Sequence, residues 1–122
     1  MRKKIRDYKD LTVWQRSMEL VLTVHEILAL LPRGSSGSTA RQIRDAVEAV
    51  PSNIAEGHSR PSRFEFAYFI GVSHSSLKEC ESELLTLELT GRARGPRMNR
   101  ALGLIVECSK MLTVLRRRLL EN

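Results

Sequence analysis

Residues 50–57 read Val50-Pro51-Ser52-Asn53-Ile54-Ala55-Glu56-Gly57 and place a proline inside an amphipathic helical pattern. Pro51 has no N–H to donate to the carbonyl of Val47, and its ring crowds that carbonyl, which costs about 3 kcal/mol in a helix interior. Apolar residues nevertheless continue on both sides of the proline at steps of three and four. The pattern predicts one helix that is kinked at Pro51 and capped at its C-terminus by Gly57. Ser52 and Asn53 can bond the backbone groups that the kink frees.

Two helices are predicted in the N-terminal half of the chain. The first covers about residues 11–31, where apolar residues recur at helical steps, and Asp10 is its predicted N-cap. A loop of breakers and turn formers over residues 32–37 follows. Thr39 and Gln42 then have the spacing of a capping box, which predicts the start of the helix that contains Pro51.

Two further helices are predicted in the C-terminal half. Ser62 and Glu65 form a second capping box, and the third helix runs from there until Gly91 ends it. Gly71, beside several serines, predicts a notch where a neighbouring helix comes close. A fourth apolar repeat follows Pro96, and no strand pattern is found.

The fold class predicted from these elements is all-α. Four helices with short connections pack as an up-down-up-down four-helix bundle, with helix two kinked at Pro51. Residues 1–122 form one domain, and residues 1–9 form a basic N-terminal tail that is able to stay flexible. A chain of 122 residues is long enough to bury one core.

Several apolar residues fall outside the expected core stripes, which indicates an oligomer. Phe64, Phe66 and Phe69 point in different directions around the third helix, so at least one should face outward. Four more apolar residues leave the stripe of their helix: Leu20 and Ile27 in the first helix, and Leu85 and Leu89 in the third. A helix that is apolar on more than one side usually has more than one partner.

The composition excludes several classes of protein. No apolar run approaches the ~20 residues of a membrane span, and no signal sequence follows the basic N-terminus, so we expect a cytoplasmic protein without membrane contact. Cys80 and Cys108 are too few and too far apart for a disulfide framework or a metal knuckle, and buried free thiols are expected.

Motifs for catalysis are absent, and we expect no enzyme, no cofactor and no metal. The chain has no H-E-x-x-H or E-x-x-H pair, no phosphate-binding glycine loop and no nucleophile elbow. One metal alternative is a chance cluster across the core: His25, His74, Cys80 and Cys108. Glu56 is predicted to form a structural ion pair with Arg60 or a cap; the alternative is a ligand or a catalytic group in a weak nuclease.

Two motifs carry a resemblance to a known family. The chain resembles the four-helix bundle proteins encoded in 23S rRNA intervening sequences. The resemblance lies chiefly in Tyr8-Lys9-Asp10-Leu11-Thr12-Val13-Trp14-Gln15 and in residues 50–57. Shorter matches are Gln42-Ile43-Arg44, Glu65-Phe66, Ser76-Leu77 and Glu79. The resemblance spans nearly the whole chain. It implies a helical protomer that assembles as a homopentamer, with no known enzymatic activity.

The family is also similar to the accessory proteins of diversity-generating retroelements, which bind a reverse transcriptase and nucleic acid through a basic surface. The structural motif residues that the resemblance marks are Trp14, Pro51, Ser52, Asn53, Glu56 and Gly57. Trp14 is expected in the core, packed against the bend at Pro51. This sequence departs from the family at His58-Ser59-Arg60, where glycine-arginine is usual, and in a loop at residues 33–38 that is rich in Gly and Ser.

The charge pattern points to an acidic partner. The net charge is +6 with a pI near 9.9. Under the predicted topology, one end of the bundle carries ten basic and five acidic residues and the other carries seven and two. The waist carries three basic and seven acidic residues. A ring of protomers would turn each basic end into an annulus that attracts a polyanion.

The sequence therefore predicts nucleic-acid binding, with RNA favoured over DNA, through electrostatic contacts and without base-specific readout. Candidate phosphate-binding residues are Arg41, Arg44, Arg92, Arg94, Arg97, Arg100, Arg116, Arg117 and Arg118. The alternative to nucleic-acid binding is that the charged residues at the helix ends only keep the protein soluble. Arginine near a helix C-terminus also interacts favourably with the helix dipole. The alternative function is an oligomeric scaffold that binds a polymerase or another partner enzyme.

Overall fold

The computed structural model describes residues 4–32, 34 and 37–121 of the chain. A 3-10 turn at Tyr8–Asp10 precedes four α-helices: α1 (Thr12–Ala29), α2 (Gly37–His58), α3 (Arg63–Leu89) and α4 (Pro96–Leu120). Over these described ranges there is no strand. None of the four helices, as far as the structure describes them, combines the length and apolar character of a bilayer span.

The four helices form a closed square in chain order. α1 packs against α2 and α4, α3 packs against the same two helices, and the diagonal pairs do not meet within the described residues. The start of α3 lies beside the end of α4, since Arg63 donates to the carbonyl oxygens of Leu119 and Glu121. The predicted all-α, up-down-up-down bundle is therefore confirmed.

The core runs the full length of α3 with a coiled-coil spacing. After Ala67, the buried residues of this helix alternate at three and four: Ile70, Ser73, Leu77, Cys80, Leu84 and Leu87. That repeat keeps one seam facing the neighbouring helices. Leu20 and Ile27 are also buried in the core, so the prediction that they face outward is wrong. Because α1 packs against two helices, its apolar sector is wide enough to include both residues.

Pro51 lies buried inside α2, which continues through it from Gly37 to His58. Asn53 Nδ2 donates to the carbonyl of Ala49 at 2.8 Å, and Ser73 Oγ donates from α3 to the carbonyl of Val50 at 2.8 Å. Side chains therefore bond backbone oxygens around the proline, as predicted for Asn53. The kink at this position stays a prediction.

Gly57 is not a C-terminal cap. It is buried within α2, which ends one residue later, and its φ angle is not positive. A Cβ built on Gly57 would lie 2.8 Å from the Cβ of Phe69 and 2.9 Å from Cδ1 of Phe66. This glycine is needed because α2 and α3 come into close contact here, and any larger side chain would separate them.

The helix boundaries confirm some predicted caps and correct others. Ser62 caps α3 by accepting from the backbone N–H of Phe64 and Glu65, and Gly91 follows the end of α3 with a φ of +73°. Asp10 does not cap α1; it closes a capping box with Asp7 around the 3-10 turn.

The predicted starts of the first two helices need further correction. α1 begins at Thr12 after Leu11, which has no side-chain cap. α2 begins at Gly37, two residues before the predicted Thr39. Of the predicted flexible tail, residues 1–3 lie outside the described residues.

Candidate nucleic-acid interface

Three consecutive arginines occupy the last turns of α4. Arg116, Arg117 and Arg118 are exposed, and among the described residues none of them forms an ion pair with a carboxylate. Arg116 and Arg117 face a groove between α3 and α4, whereas Arg118 lies on the other side of α4, facing α1. The sequence run therefore divides into a pair and a separate third arginine.

The α3–α4 groove has a volume of about 810 Å³. Its lining consists of Gly71, His74, Leu112, Thr113, Arg116, Arg117, Leu120 and Glu121. A Cβ built on Gly71 would lie 3.3 Å from Nε of Arg116, so the side chain of Arg116 lies across the glycine. The predicted notch at Gly71 thus admits an arginine side chain of α4.

His74 stands in the same groove in a fixed position. Its Nε2 lies 2.9 Å from Oγ of Ser109 on α4. Partial burial lowers the pKa of His74, and the positive charges of Lys78 and Arg116 lower it further. The ring is therefore held neutral near pH 7 and adds no positive charge to the groove.

The second arginine set lies at the opposite end of α4, and part of it is already engaged. Arg97 Nε pairs with Glu26 Oε2 of α1 at 2.9 Å. Arg92 Nε donates to Thr90 Oγ1 at 3.1 Å. Arg100 is exposed and has no ion pair within the described part of the chain.

The remaining candidates are scattered along this second end. Arg94 is exposed, and its Nη2 would lie 3.1 Å from a Cβ built on Gly91. Arg41 is exposed and Arg44 is half-buried, both in the first half of α2. At ~1.5 Å per residue, the two ends of α4 are separated by about 35 Å. The structure therefore does not bring the two arginine sets together.

The two sequence motifs meet in a different groove, between α1 and α2, of about 550 Å³. Trp14 and Pro51 both line it. Trp14 is half-buried and stands edge-on to Tyr8, with 5.3 Å between ring centroids, so it lies at the margin of the core rather than inside it. Glu56, also at this groove, forms the predicted ion pair with Arg60, with Oε1 and Nη2 2.6 Å apart.

Ser52 and Glu56 are the exposed members of the motif, and both line the α1–α2 groove. Trp14 and Pro51 line the same groove. The motif residues thus divide into those that hold α2 to its neighbours and those that shape this groove.

Candidate metal ligands are occupied in other ways. Over the described ranges, no three His, Cys, Asp or Glu side chains are grouped to hold a metal ion. His25 Nε2 lies 2.8 Å from Glu48 Oε2 on α2. Cys80 and Cys108 are free and buried, as predicted, and burial raises the pKa of their thiols to about 12 and about 11.

Comparison with known proteins places the chain in a family. The model of the 23S rRNA-intervening sequence protein family matches residues 9–114. The chain belongs to the 23S rRNA-intervening sequence protein family. No curated protein matches it. Except for Tyr8, the family match covers both motifs at the α1–α2 groove, and it ends before Arg116, so the arginines at the end of α4 lie beyond the matched residues.

A solved relative supports the fold of this 23S rRNA-intervening sequence protein. It is a protein of unknown function from the S23 ribosomal protein family of Bacteroides thetaiotaomicron. The two share 19% sequence identity and a TM-score of 0.80, over 87% of this chain and 99% of the other. At this identity the likeness establishes the shared four-helix fold.

Proposed function

We propose that this chain is a non-enzymatic, cytoplasmic homopentamer that binds nucleic acid, RNA in preference to DNA, through electrostatic contacts. The observation that carries the proposal is the pair of exposed guanidinium groups, Arg116 and Arg117, at an open groove without carboxylate partners among the described ion pairs. Family membership adds a reason to favour RNA, because the name of the family refers to 23S rRNA.

Unpaired arginines at an open groove are suited to phosphate. A planar guanidinium donates two parallel hydrogen bonds to neighbouring phosphate oxygens, and each contacted phosphate releases condensed counterions. Arg97 contributes less to this proposal than the sequence predicted, because a phosphate would have to compete with Glu26 for its guanidinium. The end of α4 is therefore favoured over its start.

Outward apolar residues at both ends of α3 support assembly. Phe64 and Tyr68 are each 66% exposed near the start of the helix. Near its end, Leu85 is 37% and Leu89 84% exposed. A helix that packs inward on one side and shows large apolar residues on the other has surface for a second partner, which we propose is another copy of the chain.

The proposal is tested by binding of a fluorescein-labelled RNA to the double variant Arg116→Gln/Arg117→Gln. Loss of two charge-assisted contacts should weaken binding by about tenfold or more. The double variant Arg92→Gln/Arg100→Gln removes the same total charge and should weaken binding less. Equal losses would assign binding to net charge alone, and unchanged binding of the first variant would remove the proposal. Solution mass at micromolar concentration tests assembly, where a single protomer contradicts the pentamer.

A second candidate function is a scaffold that binds a protein such as a polymerase. The α1–α2 groove favours it, because Trp14 and Pro51 present apolar surface there while Glu48 and Glu56 place carboxylates that repel a polyanion. This candidate predicts a partner that stays bound after nuclease treatment and is lost with Ala55→Arg, which fills that groove. A partner that nuclease releases would contradict it.

A further inference from the structure

We infer that the α3–α4 groove binds an unpaired nucleotide, with its base on the apolar floor and its phosphate on Arg116 and Arg117. This inference rests on the proposed function and makes it more specific. It names the form of nucleic acid, a strand with an accessible base, that this one groove would hold.

The floor of the groove is apolar and has room for a planar group. Leu120 is exposed at one end, and the partly buried ring of His74 lines the α3 side. Leu112 is fully buried below them, and Arg116 lies across Gly71. The volume of about 810 Å³ lies within the range of roughly 300–1,000 Å³ that is usual for small-molecule sites. An electrostatic surface for a rigid duplex would need no such cleft.

Charge lies at the rim of this floor. The guanidinium of Arg116 is placed across Gly71, and Arg117 follows on the same side of the groove. Among the described residues of the lining, Glu121 is the one with a carboxylate, where the chain leaves α4. The groove therefore combines an apolar floor with two cations, which is the chemistry of a flat base that carries a phosphate.

This combination favours a single strand over a duplex. The bases of a duplex are stacked on one another, so their faces are closed to the protein, whereas unpaired bases stack on aromatic rings and guanidinium planes. His74 offers such a ring, fixed by Ser109 and held neutral. A free mononucleotide and an unpaired residue in a strand share this chemistry.

The test uses the full chain with three probes: a short fluorescein-labelled oligouridine, a blunt RNA duplex of the same length and adenosine monophosphate as a competitor. Thr113 is exposed in the groove lining, so Thr113→Met adds bulk without adding a charge or an aromatic ring on which a base could stack. Val106 is exposed two turns earlier on α4 and outside the lining, so Val106→Met is the matched control.

The groove model predicts that Thr113→Met weakens oligouridine binding by about tenfold, the value of roughly one stacked base. Duplex binding should stay unchanged in that variant, and Val106→Met should change neither. Competition by adenosine monophosphate would show that a free nucleotide also fits, and its failure beside tight oligouridine binding would restrict the site to strands. Thr113→Val, which keeps the size of threonine, should give no loss.

Two results would overturn the inference while leaving the proposed function intact. In the first, Thr113→Met binds oligouridine like the wild type. In the second, Thr113→Met weakens binding of oligouridine and of the duplex equally. In both cases Arg116→Gln/Arg117→Gln still weakens binding of both probes. Unaltered binding in the double arginine variant would instead refute the proposed function itself. Circular dichroism and thermal melting of each variant confirm that all comparisons are between folded proteins.

Discussion

Two glycines show that the effect of adding a methyl group at one position depends on the side chains packed against it. A methyl group at Gly57 would overlap Phe69 and Phe66 at 2.8 and 2.9 Å, whereas a Cβ at Gly103 on α4 meets nothing within 4 Å. Both residues lie inside helices, where alanine is favoured over glycine by ~1 kcal/mol. The two substitutions should therefore have opposite effects on stability.

We predict that Gly57→Ala lowers the free energy of unfolding by about 1–3 kcal/mol, because overpacking at the α2–α3 contact exceeds the gain in helix propensity. Gly103→Ala should raise it by about 0.5–1 kcal/mol. Urea denaturation of both variants measures the difference. A Gly57→Ala protein at least as stable as the wild type would refute the close contact.

The buried thiols should be inert. Burial, with the nearby charges of Glu83 and Glu107 respectively, raises the pKa of Cys80 to about 12 and that of Cys108 to about 11. Because the thiolate is the reactive form, neither residue should react with Ellman's reagent at pH 8 until the protein is unfolded in guanidinium. Rapid reaction of either thiol in the native protein would show that this part of the core is open.

His74 should make stability depend on pH. Burial, then Lys78 and Arg116, lowers its pKa below 6.5, so between that lowered pKa and 6.5 the unfolded chain binds more protons than the native protein. The contribution of His74 to the free energy of unfolding therefore rises as pH increases through this window, and it reaches its full value above pH 6.5. His74→Gln should remove that slope in urea titrations; an unchanged slope would contradict a lowered pKa.

At the scale of elements, α2 combines a helix breaker with an unbroken helix. Pro51 is buried, Asn53 and Ser73 bond carbonyls beside it, and the proline ring forms one wall of the groove where Trp14 lies. Pro51 therefore forms part of the groove surface as well as part of the interior of α2. Replacing it should change the groove more than the helix axis.

We predict that Pro51→Ala keeps the helix content and alters the α1–α2 groove. Alanine restores the missing N–H, so far-ultraviolet circular dichroism should not change. Trp14 is the only tryptophan of the chain, so its emission maximum reports the loss of the proline wall. Loss of helix signal with an unchanged emission maximum would contradict this account.

The sequence was sufficient for the elements and their pairing but not for all of their ends. The helical spacing of apolar residues, with Ser62 at the start and Gly91 after the end, predicted α3 correctly. These features depend only on residues close together in the sequence. Asp10 was misplaced because its carboxylate closes a 3-10 turn with Asp7, an alternative that the same spacing allows. Leu20 was misplaced because the width of a buried sector depends on how many helices pack against it.

At the scale of the molecule, the predicted topology placed the arginines at two ends of the bundle, and the structure keeps them apart. What the sequence could not predict was their partners. Arg97 meets Glu26 across two helices, and Arg116 and Arg118 leave α4 on different sides. The α3–α4 groove was missed because His74 and Thr113 carry no motif; the small residue at Gly71 was the one signal that pointed there.

The most direct test of nucleic-acid binding by these arginines is the salt dependence of RNA affinity. The logarithm of the association constant of the wild type for a single-stranded RNA should fall linearly with the logarithm of salt concentration, by ~0.7 per contacted phosphate. Arg116→Gln/Arg117→Gln should reduce the magnitude of that slope by about 1.4, because two phosphate contacts are lost. A slope that is the same in both proteins, or binding that does not respond to salt, would contradict the assignment of these arginines to phosphate.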